Sequence, residues 1–200
     1  MNFNKKLAYL IIPLFLAIGC GESSFDQGDR LYSQGKYEQA IDAYDTYLQT
    51  NPKNVRALYN RARAYEELGD IENAEKDFKR ALLLDDKNGQ ILLSLSNLYQ
   101  NEGNYEAALQ YANYAAEIPG ASATAFFMKG RAYHRLGNTG EALKDYNRAI
   151  EMDGNYGQAY YYRGMLRLAT EQQNAACGDF KRAISLQFEL AEEAASQYCQ

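Results

Sequence analysis

The stretch Tyr65-Glu66-Glu67-Leu68-Gly69-Asp70-Ile71-Glu72-Asn73-Ala74-Glu75-Lys76-Asp77-Phe78-Lys79-Arg80-Ala81 decides the fold. Just before it, Leu58, Ala62 and Tyr65 recur at helical spacing, which gives segment 55–68 one face to bury. Gly69 suits the left-handed backbone that ends a helix, and Asp70 suits the cap of the next one, where it accepts from free amides. Ala74, Phe78 and Ala81 then mark the buried face of a second helix, antiparallel to the first. Neither helix can bury its face alone.

Working outward, the same pattern returns every 34 residues. Ala40, Ala74, Ala108, Ala142 and Ala176 hold the period without slippage. Twelve places earlier stand Gly28, Ala62, Ser96, Gly130 and Gly164, all small. Four places later stand Tyr44, Phe78, Ala112, Tyr146 and Phe180, and three further on Tyr47, Ala81, Ala115, Ala149 and Ala183. Gly35, Gly69, Gly103 and Gly137 keep the same register, followed by Lys36, Asp70, Asn104 and Asn138. Small residues let paired helices approach, the aromatic column fills the seam, and neighbouring units must stack to bury what remains.

These residues resemble the tetratricopeptide repeat; Tyr65 to Asp70 and Tyr133-His134-Arg135-Leu136-Gly137-Asn138 carry the likeness most closely. The resemblance implies an all-α fold, a right-handed α-solenoid of five helix-turn-helix units. The units are 21–54, 55–88, 89–122, 123–156 and 157–190, with 191–200 as a capping helix. Pro52 is the one proline at the family's terminal position, and Tyr47 replaces its usual alanine. The fifth unit departs most: Glu171 stands for the turn glycine and Arg167 for the tyrosine.

Composition narrows the function. A formal charge of −5 disfavours a general nucleic-acid binder, which needs basic surface to displace counterions. One histidine, His134, leaves no His-rich metal site, and Cys20, Cys177 and Cys199 are too far apart for a CxxC motif. Ser33-Gln34-Gly35-Lys36 satisfies the SxxK spacing of penicillin-recognising enzymes, but it falls on a repeat turn with neither SDN nor KTG elsewhere. The pairs Glu66-Glu67, Asp85-Asp86 and Glu192-Glu193 read as solvated faces, because adjacent helical residues diverge by about 100°. His134 reads as an exposed groove or idle residue. No cofactor, metal site or catalytic motif is expected, and the chain is expected not to be an enzyme.

The first residues read as an address. Lys5 and Lys6 precede the apolar run 7–18, interrupted by Pro13; twelve helical residues span only about 18 Å, short of a bilayer. A basic flank, apolar centre and small residue before Cys20 fit a secretory signal over 1–19. Leu16-Ala17-Ile18-Gly19-Cys20 resembles the lipobox of bacterial lipoproteins, with Ala17 where leucine is usual. That resemblance implies acylation of Cys20 and anchoring to a bacterial membrane, the outer membrane by preference, with the body in the periplasm. Losing two lysines leaves 19 basic against 26 acidic residues, a charge of −7, which gives no reason to lie flat on anionic lipid.

In the resembled family the first helix of each unit lines a concave groove. The fifth positions here read Phe25, Tyr59, Leu93, Phe127 and Tyr161; the ninth include Arg63, Asn97 and Arg131. Asn60 and Tyr162 stand at the sixth and His134 at the twelfth. Aromatic, arginine and amide groups together suit a bound peptide or protein, although the fifth-position column could equally pack against neighbouring helices. Phe25 and Asp29 do not match the family's carboxylate clamp, so chaperone tails are not implied. The expected function is a lipid-anchored adaptor that binds a protein or peptide in the groove. The alternatives are an assembly factor, for outer-membrane proteins or as a pilotin, then a groove-based periplasmic enzyme or a plain spacer.

The remaining cysteines form a pair in an exported chain, where disulfides persist. Cys177 lies near the start of the fifth unit's second helix, Cys199 near the end of the cap, and each is eleven residues from Phe188. Antiparallel helices bring such positions level, so a disulfide is expected, with two separate buried thiols as the alternative. The segment also resembles the cysteine-paired end of some exported repeat proteins.

Overall fold

A computed structural model of the chain describes residues 23–199. The expected signal segment 1–19 and Cys20 lie outside the described residues. Eleven helices and no strand occur among the described residues. Five antiparallel pairs follow one another: α1 (Ser24–Ser33) with α2 (Tyr37–Thr50), α3 (Val55–Glu67) with α4 (Ile71–Leu84), and α5 (Gly89–Asn101) with α6 (Tyr105–Glu117). Then come α7 (Ala123–Arg135) with α8 (Thr139–Met152), α9 (Gly157–Ala169) with α10 (Gln173–Ser185), and a last helix α11 (Leu190–Tyr198). The array is an α-solenoid.

Local chemistry sets each hairpin. Gly69 takes φ +76° and donates to the Glu66 carbonyl, while the Asp70 amide returns to the Tyr65 carbonyl at 2.9 Å. Asp70 then caps α4 by accepting from the Asn73 amide. The fifth unit keeps the same turn without its glycine. Glu171 adopts φ 61°, and the amides of Glu171 and Gln172 reach the Leu168 and Arg167 carbonyls. Arg167, where the second to fourth units hold a tyrosine, turns to Asp179 at 2.7 Å.

Packing follows the period. All five alanines of the Ala74 column are fully buried. A Cβ on Gly130 would sit 2.8 Å from a ring carbon of Tyr146, so the close approach of α7 and α8 requires glycine there. Phe78, Tyr146 and Phe180 are buried in the seams. Two larger apolar clusters, around Leu58, Phe78 and Leu95 and around Phe127, Tyr146 and Leu166, run through the stack.

A charged ladder joins the paired helices, and sequence reasoning missed it. Arg61 of α3 grips buried Asp77 of α4 through two bonds of 2.6 and 2.8 Å and also reaches Asp45. Arg163 of α9 grips Asp179 of α10 through bonds of 3.0 and 2.6 Å, and Lys129 of α7 faces Asp145 of α8 at 3.3 Å. These residues recur at the 34-residue period, which is the signal that could have revealed them. In the third unit Leu95 and Tyr111 occupy the two registers instead.

At the C-terminal end α11 packs on α10, and Cys177 and Cys199 form a disulfide with Cα atoms 5.6 Å apart. The connection turns at Gln187, φ 60°, beside Phe188.

Candidate functional site: the inner groove

The first helices touch one another as well as their partners, α1 with α3, α5 with α7 and α7 with α9, which places them on the inner side of the curve. On that side lies a groove of about 640 Å³. Tyr59 and Arg63 of α3, Leu93 and Asn97 of α5, and Phe127 and Arg131 of α7 all border it. The fifth and ninth positions of three consecutive units therefore share one surface.

The fifth-position column is divided between groove and core. Phe127 is 1% exposed and forms the groove floor, wedged among the rings of Tyr146, Tyr156 and Tyr162 at 5.0–6.0 Å. Phe25 packs on Tyr44 and Tyr47, and Tyr161 on Phe180 and Phe188. Leu93 joins apolar clusters between units, and Tyr59 lies against Phe78 with its hydroxyl 3.3 Å from the Ser94 hydroxyl. Packing against the neighbouring helix accounts for most of this column.

Other expected groove residues are tied up within the chain. Asn60 donates to Asp29 at 2.7 Å, the same carboxylate that accepts from Tyr44, and both edge a separate small hollow with Tyr32 and Arg63. His134 is half-buried, 3.3 Å from the Tyr146 hydroxyl; burial, helped by Arg135, pulls its pKa below the ordinary histidine value. It is thus held inside rather than exposed to a ligand. Tyr162 lies under Arg131, whose guanidinium is 5.3 Å from the ring centre.

Arg131 and Arg63 carry the groove's positive charge. Arg131 rests on the rings of Phe127 and Tyr162, and Arg63 on Tyr32 at 5.0 Å. Neither has a carboxylate within 4.0 Å among the described residues. Stacking holds the two planes in place while leaving their donors open.

Glu66 and Glu67, taken from sequence as a solvated face, both border the groove. Burial pushes the Glu66 carboxyl above its ordinary value, against the lowering pull of Arg63 and a hydrogen bond from Asn97. Glu67 accepts from the Tyr32 hydroxyl at 3.2 Å. Gln90 and Gln158 also face the groove and make no side-chain hydrogen bond among the described residues. Glu66 stands at the twelfth position, the column of His134, and Gln90 and Gln158 stand at the second; sequence reasoning missed them because it read Glu66 as half of a solvated pair and named no residue of the second column. Among the described residues no group of three His, Cys, Asp or Glu side chains could hold a metal ion.

Stacked helical hairpins with a polar, aromatic inner groove define a helical-repeat solenoid, whose inner surface is built from many units rather than one. The family follows from the comparisons: descriptions of the tetratricopeptide repeat match residues 25–90, 67–125 and 123–156. The chain belongs to the tetratricopeptide-repeat family.

Among curated proteins, the chain is 35% identical over 60 residues to an Hsp70-Hsp90 organizing protein of Triticum aestivum, covering 30% of this chain and 10% of that one. It is 40% identical over 48 residues to outer dynein arm-docking complex subunit 4 of Danio rerio, covering 24% and 10%. The chain spans about a tenth of the length of the curated relatives it matches.

Among solved structures, MamA superposes with TM-score 0.72 at 23% identity over 82% of this chain and 96% of that one. YrrB, described as a tetratricopeptide-repeat protein with an unusual peptide-binding site, gives 0.70 at 23% over 87% and 90%. PilW, described as a type IV pilus biogenesis factor, gives 0.73 at 20% over 82% and 76%. At these identities the likeness is one of fold.

Proposed function

We propose that this chain is an adaptor that binds an extended segment of a partner protein in its inner groove and is held at a bacterial membrane by a lipid on Cys20. The observation that carries the binding half is Arg131: a guanidinium fixed by two rings, free of carboxylates, and beside the open amides of Gln90 and Gln158. An extended segment has unpaired backbone groups for the amides and, through an acidic side chain or terminus, a carboxylate for the arginine. The described relatives that bind peptides or organise other proteins add weight by analogy. The groove holds no nucleophile paired with a base, so binding rather than catalysis fits its chemistry.

The anchoring half rests on Lys5, Lys6, the apolar run and Gly19-Cys20. Among the described residues no helix is long and apolar enough to cross a membrane, so attachment through Cys20 would leave the solenoid outside the bilayer. An acidic body at the end of a short tether suits an adaptor in outer-membrane assembly or pilus biogenesis.

Two experiments separate the halves. Cells fed a clickable fatty acid should label the wild type and not Cys20→Ser; equal labelling, or none, removes the anchor. Affinity capture from detergent-solubilised membranes should recover a partner with the wild type and lose it with Arg63→Glu plus Arg131→Glu, at unchanged circular dichroism. Undiminished recovery moves the binding site off the groove.

A further inference from the structure

The repeat supplies its own control for every surface position. At the register of Asp77, Asp145 and Asp179 the third unit carries Tyr111 and the first Ala43; at the register of Arg80, Arg148 and Arg182 they carry Tyr114 and Thr46. Leu83 stands where the other units carry Gln49, Glu117, Glu151 and Ser185, and it is 85% exposed. Two exposed departures from polar to apolar, Leu83 and Tyr114, thus fall on the second helices α4 and α6, beside Tyr111 at the register where three other units bury a carboxylate. They meet on one surface: Leu82, Leu83, Leu92, Tyr111 and Tyr114 border a hollow of about 720 Å³ that shares no lining residue with the groove.

The patch is firm. Tyr111 stacks on Tyr99 with centroids 5.5 Å apart and planes within 5°, and the Tyr99 hydroxyl is fixed by Glu75. Tyr114 remains 46% exposed, with its hydroxyl accepting from Gln110. Both signs of charge rim the patch: Lys79 and Asp86 at its edge, Lys87 and Glu117 just beyond. Asp86, Lys87 and Glu117 have no ion-pair partner among the described residues. Exposed apolar surface framed by charge marks a protein contact.

We propose that this outer patch is a self-association surface, on which a second copy of the chain seats through a twofold axis. The occupant follows from self-complementarity. Leu83 projects beside the hollow, so one patch offers both a knob and a hole, and a twofold operation places each copy's knob against the other's hole. The same operation brings Lys87 of one copy toward Asp86 or Glu117 of the other, whereas a rim of one sign would repel its own image. The pair leaves the inner groove of each copy open, and it stands independently of what that groove binds.

Sedimentation equilibrium of the full chain in non-denaturing detergent tests this, with Cys20→Ser run alongside so that acyl chains cannot account for the mass. Both proteins should show twice the single-chain mass in the micromolar range. Leu83→Glu with Tyr114→Arg installs what the fourth unit carries at Glu151 and Arg148, and should weaken association about a hundredfold or more at unchanged helicity. Should that double variant lose helicity, Leu83→Ser, the residue type of the fifth unit, serves instead, with association weakened about tenfold or more. Single-chain mass for the wild type throughout overturns the proposal, as does undiminished association of a folded variant. A wild type that stays single while its patch variants release a different protein also overturns it, in favour of that other occupant.

Discussion

At the residue scale, the charged ladder shows how one side chain can be well or poorly served by its register. Asp179 receives Arg163 through two bonds and Arg167 through a third, whereas among the described residues Asp145 receives only Lys129, and its Oδ2 is buried without a hydrogen-bond partner. Burial accordingly pushes the Asp145 carboxyl above its ordinary value, with Lys129 opposing. A lysine is a point charge and an arginine a fork. Lys129→Arg should therefore stabilise the protein by about 1 kcal/mol, read from urea midpoints at constant slope. Glu66 makes the same case in the groove. Its folded pKa lies above its unfolded value, so the folded chain holds the extra proton in that window, and stability due to this group falls as pH rises through it. Glu66→Gln should be more stable than the wild type at neutral pH. The gain should vanish below the ordinary carboxylate range, which denaturant titration at both pH values would check.

At the element scale, the helical hairpin was the most legible object in the chain, because its turn chemistry is local. Gly69-Asp70 announces a helix end and a helix start in two residues, and the structure places both there. The fifth turn was harder to read, since Glu171 has no preference for the left-handed region it occupies. Stacking on the fourth unit and the Arg167–Asp179 pair hold it there. Glu171→Gly should relieve that strain and raise stability by about 1 kcal/mol, visible as a higher thermal midpoint. The last helix has the weakest support, with α10 as its packing partner. The disulfide closes a separation of 22 residues, so Cys177→Ser with Cys199→Ser should cost about 3 kcal/mol at most. Hydrogen exchange should show α11 losing protection before any other helix.

At the scale of the whole molecule, the period made the solenoid legible but not the division of labour within it. A column read along the chain shows that Phe25, Tyr59, Leu93, Phe127 and Tyr161 are equivalent by register. Whether an equivalent ring faces the groove or the next helix depends on how units lean on one another. That is why Phe127 sinks into the floor while Arg131, one turn on, stays open. The polar members Gln90, Gln158 and Glu66 become neighbours only when the inner helices converge. Departures from the period proved as informative as the period itself, since Tyr111, Tyr114 and Leu83 mark the outer patch by failing to match their counterparts.

The central claim is that the inner groove binds an extended peptide segment through its stacked arginines. The most direct measurement is selection of peptides from a random displayed library on the full chain, followed by calorimetry of the selected sequences against wild type and Arg63→Glu with Arg131→Glu. The expected result is a set of peptides sharing an acidic residue or a free terminal carboxylate, with affinity lowered about tenfold to a hundredfold in the double variant. Selected peptides that bind both proteins equally, or a library that yields no binder to a folded wild type, would contradict it.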